Sequence, residues 1–216
     1  MVTPESSTPL VPGAVAPDFE LPRIDGTGTV SLSDYRGRSP LFLAIFIGLW
    51  GPFCRRAIAQ IALSEPALKE AGVETLGVVA TTPENAALYF RYRPARISLA
   101  ADPELTIHKA YGLPKPAATP ELMEEMAATR INPQGMFSEP LPIPEAAVAA
   151  ARLDGYQETA TDRSDMEKQW PQLKGQFFID RDCVVRWGSV EAQEGLSGVG
   201  KFPTLDEIMK GARTVT

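Results

Sequence analysis

Only two residues of this 216-residue chain carry a thiol, Cys54 and Cys183, and His108 is its one histidine. Cys54 lies in the window LWGPFCRR, residues 49–56, just after an apolar run. With Pro52 as the first helical residue, Cys54 is the third, inside the opening turn. Unpaired amide N–H groups and the positive end of the helix dipole favour a thiolate there. Arg55 and Arg56 add positive charge on different sides of the helix, so at most one reaches the sulfur, and Arg55 is the candidate. These features predict that Cys54 titrates below the free-thiol value of about 8.5 and is reactive. A two-cysteine exchange site of the form Trp-Cys-x-x-Cys needs a second sulfur at position 51, where Gly51 stands, so no local disulfide can form. The competing reading, a buried core cysteine, is a common fate of this residue type. Position and cationic neighbours favour the reactive one.

The elements that must position this thiol follow from periodicity and punctuation. LFLAIFI, residues 41–47, is uniformly apolar, as in a central strand covered on both faces. A helix then runs from Gly51-Pro52 to Ala71-Gly72, with a kink expected at Pro66. VETLGVVA, residues 73–80, predicts a second buried strand, and ISLA, residues 97–100, a short one. Thr82-Pro83-Glu84, Asp102-Pro103-Glu104 and Thr119-Pro120-Glu121 share one design: an N-cap side chain, a proline that needs no hydrogen bond, and an early acid. They predict helices at residues 83–92, 103–111 and 120–129. Upstream, DFEL and TVSL flank DGTG as a β-hairpin; downstream, QFFID-RD-CVVRW is another, followed by the capping box Thr204–Glu207 of a last helix. The predicted order is β-hairpin, βαβα, βα, insert, ββα, a mixed sheet with helices on both faces. Residues 113–171 break that rhythm with Pro-rich and Ala/Glu-rich stretches. A structureless loop this long is suspect, so the insert is expected to carry two short helices.

Composition narrows the function. The net charge of −6 argues against a nucleic-acid surface. No apolar stretch approaches the roughly 20 residues that span a bilayer. MVTPESSTPLVPG lacks the basic start and apolar segment of a signal peptide, so a cytoplasmic location is expected. Two cysteines and one histidine are too few for a zinc cluster, and no metal or other cofactor is expected. His108 is a surface or packing residue rather than a base. FRYRPAR, residues 90–96, has an adequate explanation in the dipole at a helix C-terminus. Trp50 beside the thiol suits a pocket wall or a core anchor equally.

The combination APDFELPRIDGTGTVSLSDYRG (residues 16–37), an apolar strand, GPFC, and late LKGQFFIDRDCVVRW resembles the alkyl hydroperoxide reductase/thiol-specific antioxidant family, the peroxiredoxins and their thioredoxin-superfamily relatives. The match covers residues 17–112 and 173–213 and leaves out the insert. It implies an α/β, thioredoxin-like fold for residues 1–216, with an N-terminal β-hairpin, a mixed central sheet flanked by helices, and a helical insert before the last hairpin. It places Cys54 at the peroxidatic position, where the family has Thr or Ser three residues earlier; Gly51 supplies no hydroxyl. The family's catalytic arginine corresponds to Lys174, which keeps the charge but not the planar fork.

The resemblance thus implies Cys54 and Lys174 as catalytic residues. Trp50, Gly51, Pro52, Phe53, Arg55 and Trp170 are expected around the substrate, the last because the insert ends at Trp170-Pro171, just before Lys174. Cys183 falls at the far turn of the late hairpin, on the order of 20 Å from the site, where glycine is commoner. A disulfide needs Cα atoms within about 7 Å. Cys183 is therefore no resolving cysteine, though its thiol, expected to be exposed, offers a route to a homodimer under oxidation. The expected function is thiol-dependent reduction of a peroxide through Cys54, restored by an external thiol. The alternatives are a redox-degenerate binding module and a single-thiol oxidoreductase acting on mixed disulfides, for example with glutathione.

Overall fold

A computed structural model describes residues 8–216. Residues 1–7, which carry much of the stretch read above as lacking a signal segment, lie outside the described residues. Strands β1 (Glu20–Pro22) and β2 (Thr29–Ser31) form the first hairpin, Leu21 opposite Val30. Strand β3 (Leu41–Phe46) is buried at all six positions. Its side chains alternate between two cores, as the pleat requires. Phe42, Ala44 and Phe46 pack with Ile58, Ile61, Phe178 and Ile208, whereas Leu41, Leu43 and Ile45 pack with Leu76, Ile107, Tyr111 and Phe177.

Helix α1 (Pro52–Glu70) follows and continues unbroken through Pro66. Next come β4 (Glu74–Val79), α2 (Pro83–Tyr92), capped by the Thr82 hydroxyl, and β5 (Ser98–Ala101). Helix α3 spans only Thr106–Ala110, three residues later than Asp102-Pro103-Glu104 predicts. Asp102 still caps, but across a turn: its carboxylate accepts from the Ile107 N–H (2.9 Å) and the Thr106 hydroxyl (2.8 Å). Between them Leu105 adopts the left-handed region at φ 56°, which interrupts the helical path that Pro103 would have opened. On this helix His108 is buried with neither ring nitrogen hydrogen-bonded, and burial pushes its pKa down to about 3. It is a neutral packing residue, not a surface one.

The insert holds α4 (Pro120–Ala128), a two-stranded β6 (Arg130–Ile131)–β7 (Leu141–Pro142) ladder, α5 (Ile143–Asp154) and α6 (Ala160–Gln169). Three helices stand where two were expected. Helix α6 has no apolar stripe to announce it: its buried residues are Asp162, Asp165 and Gln169. Its face is satisfied by hydrogen bonds. The Asp162 carboxylate accepts from Asn85 Nδ2 (2.9 Å), the Thr159 N–H (2.8 Å) and the Tyr156 hydroxyl, while Asp165 accepts from the Thr81 hydroxyl (2.6 Å).

Strands β8 (Gly175–Ile179) and β9 (Val185–Val190) and helix α7 (Leu205–Ala212), with its Thr204–Glu207 capping box, complete the fold. The main sheet has the order β5-β4-β3-β8-β9; β3, β4 and β5 are parallel, and β8 and β9 antiparallel to their neighbours. Register matters for the site. Ile45 lies opposite Gly175, and Gly175 opposite Val190.

Replacing Asp162 by alanine should leave the donors of Asn85, Tyr156 and Thr159 unsatisfied and cost about 3 kcal/mol. Urea denaturation checks this; a loss below about 0.5 kcal/mol would show that the insert is held by its apolar contacts instead.

Candidate active site

The loop from β3 to α1 carries the thiol to the carboxyl end of the parallel strands, where open α/β sheets place ligands. Gly51 caps α1 and Pro52 occupies its first position, so Cys54 is the third helical residue. A Cβ on Gly51 would lie 3.1 Å from Ile47 Cδ1. A hydroxyl-bearing residue there would crowd Ile47. Gly48 is tighter still, its Cβ direction filled by the Trp50 indole and Gln169. Gln169, at the end of α6, holds this loop: its Oε1 accepts from the Gly48 N–H (2.7 Å) and Trp50 Nε1 (2.9 Å), and its Nε2 donates to the Ala80 carbonyl.

Cys54 is 2% exposed and borders a cavity of about 370 Å³. Trp50, Gly51, Pro52, Phe53, Trp170 and Lys174 border the same space, so the structure brings together all but one of the expected site residues. The insert supplies much of the remaining wall, through Leu122, Met126, Ile143 and Ala147. Arg55 is the exception. It is buried, pairs with Asp154 at the end of α5 (2.7 Å), donates to the Leu49 and Trp50 carbonyls, and lies 4.5 Å over the Tyr156 ring. It fastens the insert to α1 and does not line the cavity.

The β3–β8 register explains Lys174: it precedes Gly175, hence lies beside the end of β3 that leads to Cys54. It does not stand there as a free cation. Its side chain is 2% exposed and its ammonium is paired with Glu191, 8% exposed, one residue beyond β9. Glu191 also accepts the Gly200 N–H (2.8 Å). This carboxylate was not among the expected site residues, although the late hairpin's pairing, counted outward from its turn, brings residue 191 towards Lys174.

The expected acidity of Cys54 is overturned. Burial pushes the thiol up to about 11; Lys174 pulls it down, Glu191 pushes it back up, and a backbone hydrogen bond at Ile47 and the charge of Arg55 also pull it down. Withdrawal from water outweighs the cations, one of which is neutralised by Glu191 and the other turned towards Asp154.

Cys183 occupies the glycine-like position expected of it, at φ 61°. Its thiol, however, is buried rather than exposed, with Arg36 Nε donating to the sulfur at 3.3 Å. The route to a dimer through this sulfur is therefore closed in the folded chain. Both cysteines are free, and they belong to different cores at opposite ends of β3, since Leu41 lies opposite Ile179.

A mixed five-stranded sheet flanked by helices, with a buried cysteine in the first turn of the helix after the central strand, is a thioredoxin-like fold. Residues 12–188 match the AhpC/TSA family model, and the chain belongs to that family. Two curated proteins from strains of Mycobacterium tuberculosis, named as candidate peroxiredoxins, are 30% identical over 106 residues, 49% of this chain and 66% of theirs. The chain thus matches just under two thirds of their length. Among solved structures, a reduced 2-Cys peroxiredoxin from Plasmodium vivax has a TM-score of 0.61 at 15% identity, with 95% of this chain and 81% of that one covered. Peroxidoxin BcpB from Mycobacterium tuberculosis has 0.55 at 16%, with 94% of each chain covered. Both share the fold. No helix among the described residues is long and apolar enough to cross a membrane.

Alkylation of native Cys54 should have a midpoint well above the free-thiol value of about 8.5. The folded state holds this proton more tightly than the unfolded chain. The thiol's contribution to stability is therefore complete below that value and lost as pH rises towards the folded-state value of about 11. Iodoacetamide rates against pH report the midpoint, with a urea-unfolded control; native and unfolded midpoints that coincide would contradict the desolvated site.

Proposed function

We propose that the protein reduces an organic hydroperoxide with the Cys54 thiolate and is restored by an external thiol. The observation that carries this reading is the shared cavity: the family's reactive cysteine position and a lysine border one apolar-walled space. The thiolate attacks the terminal peroxide oxygen, the O–O bond breaks, and the electron pair leaves on the alkoxide, which takes a proton. The products are Cys54 sulfenic acid and an alcohol. Two equivalents of a small thiol then return the sulfenic acid to the thiol, releasing water and one external disulfide. The place of Cys183 in the other core supports an external reductant.

Lys174, though paired with Glu191, is the cation that borders the cavity in which the alkoxide develops. The thiol's burial makes the ionised fraction small at neutral pH, so the oxidation rate rises with pH through the alkaline range. Trp50, Phe53, Leu122, Met126, Ile143 and Trp170 make the cavity suited to an alkyl or aryl tail. Each methylene buried there contributes about 0.8 kcal/mol, roughly fourfold in affinity. A second reading keeps the same cavity without the chemistry, as a binding module for an apolar ligand. The neutralised Lys174 and the protonated thiol favour it.

Stopped-flow consumption of cumene hydroperoxide and hydrogen peroxide by wild type and Cys54→Ser separates the two. Cumene hydroperoxide should react at least about tenfold faster than hydrogen peroxide, and Cys54→Ser should lose about a thousandfold or more. Equal consumption by Cys54→Ser would remove the thiol mechanism. Binding of cumyl alcohol without peroxide consumption would establish the module.

A further inference from the structure

Lys174 and Glu191 are held together by more than their charges. The Glu191 N–H donates to the Lys174 carbonyl (3.0 Å), the backbone continuation of the β8–β9 ladder, and the Glu191 carboxylate is anchored by the Gly200 N–H (2.8 Å). Besides the Cys54 cavity, both residues border a more polar groove of about 470 Å³, which includes Gln134, Gln176, Ser189 and Thr204. The charged residues that border the Cys54 cavity are Lys174 before β8, Glu191 after β9 and Glu125 on α4; on the thiol's own helix Arg55 is tied to Asp154 and Arg56 turns its Nε to the Met136 sulfur (3.4 Å). Of these three cations Lys174 alone borders the cavity, and a buried ammonium in contact with one carboxylate presents a dipole, not a full charge, to a neighbouring sulfur.

We propose that Glu191 is a positioning residue for the Cys54 thiol: by claiming the Lys174 ammonium, it decides how much of that charge reaches the sulfur. The resting site is thereby restrained, and any event that loosens Glu191 from Lys174 activates the thiol. The proposal rests on the reading that Cys54 is the reacting group but not on which substrate it attacks.

Glu191→Gln tests it, since glutamine keeps an oxygen for Lys174 and Gly200 while removing the charge. The probe is iodoacetamide alkylation of Cys54 against pH, which requires no peroxide. Glu191→Gln should lower the midpoint by about one unit, so that alkylation below the midpoint is roughly tenfold faster. The acceleration should disappear in the double variant Lys174→Met/Glu191→Gln, because Lys174 is what the substitution releases. Glu191→Asp, which keeps the charge but is too short to hold both partners, should give a smaller acceleration of roughly threefold.

An unchanged midpoint in a Glu191→Gln protein that melts like wild type would overturn the proposal. So would a double variant as fast as Glu191→Gln, because the Lys174 charge would then contribute nothing to the acceleration. If Glu191→Gln does not fold, an unchanged Glu191→Asp rate overturns it equally. Accelerated alkylation without peroxide consumption would uphold Glu191 and fail only the peroxidase reading.

Discussion

The antiparallel pairing of β8 with β3 is the constraint on which the candidate site depends. Because Ile45 faces Gly175, residue 174 emerges beside the end of β3 from which the loop to Cys54 departs. Because Gly175 also faces Val190, residue 191 emerges beside residue 174. One register thus brings three sequence-distant groups, a thiol, an ammonium and a carboxylate, to one end of the sheet. A one-residue slip would send every side chain of β8 to the opposite face and exchange its two cores. The apolar alternation of Phe177, Phe178 and Ile179 therefore specifies the site as well as the core.

A second layer of control is polar. The insert covers the site, but it is fastened through buried groups that tolerate little variation in geometry. Gln169 holds the loop before α1, Asp162 and Asp165 hold α6 to the Thr81–Asn85 segment, and Arg55 joins α1 to the end of α5. Apolar contact around Phe53, Ile131, Ile143 and Ala146 fills the space beneath. Hydrophobic contact is non-directional, whereas a carboxamide bonded at both ends fixes one arrangement. The wall of the cavity therefore inherits its position from hydrogen bonds made outside it.

At the sulfur, solvation and charge oppose each other. The helix start and two cations favour a thiolate, yet the side chain has almost no water around it, and both cations are engaged by carboxylates. In such surroundings the neutral form is favoured. The same dryness strengthens every electrostatic contact made near the sulfur.

Most of the fold was legible in the sequence. The unbroken apolar run of β3, the Thr-Pro-Glu starts of α2 and α4, the Thr204 capping box and both hairpins are local signals, read from neighbouring residues. So was the place of Cys54 in the first turn of α1, and with it the neighbours Trp50 to Phe53. Helix α6 was not, because its buried face is made of Asp162, Asp165 and Gln169, which look like a solvated surface until their partners are known. Nor was the late start of α3, which a left-handed Leu105 decides. Tertiary structure also settled the three charge-bearing questions: Arg55 belongs to Asp154, Lys174 to Glu191, and the two thiols are buried. Residue type and local spacing determine which groups can ionise and where a helix begins. Whether a charge is free depends on water excluded and partners supplied by segments far away in the chain, and only the folded arrangement brings those together.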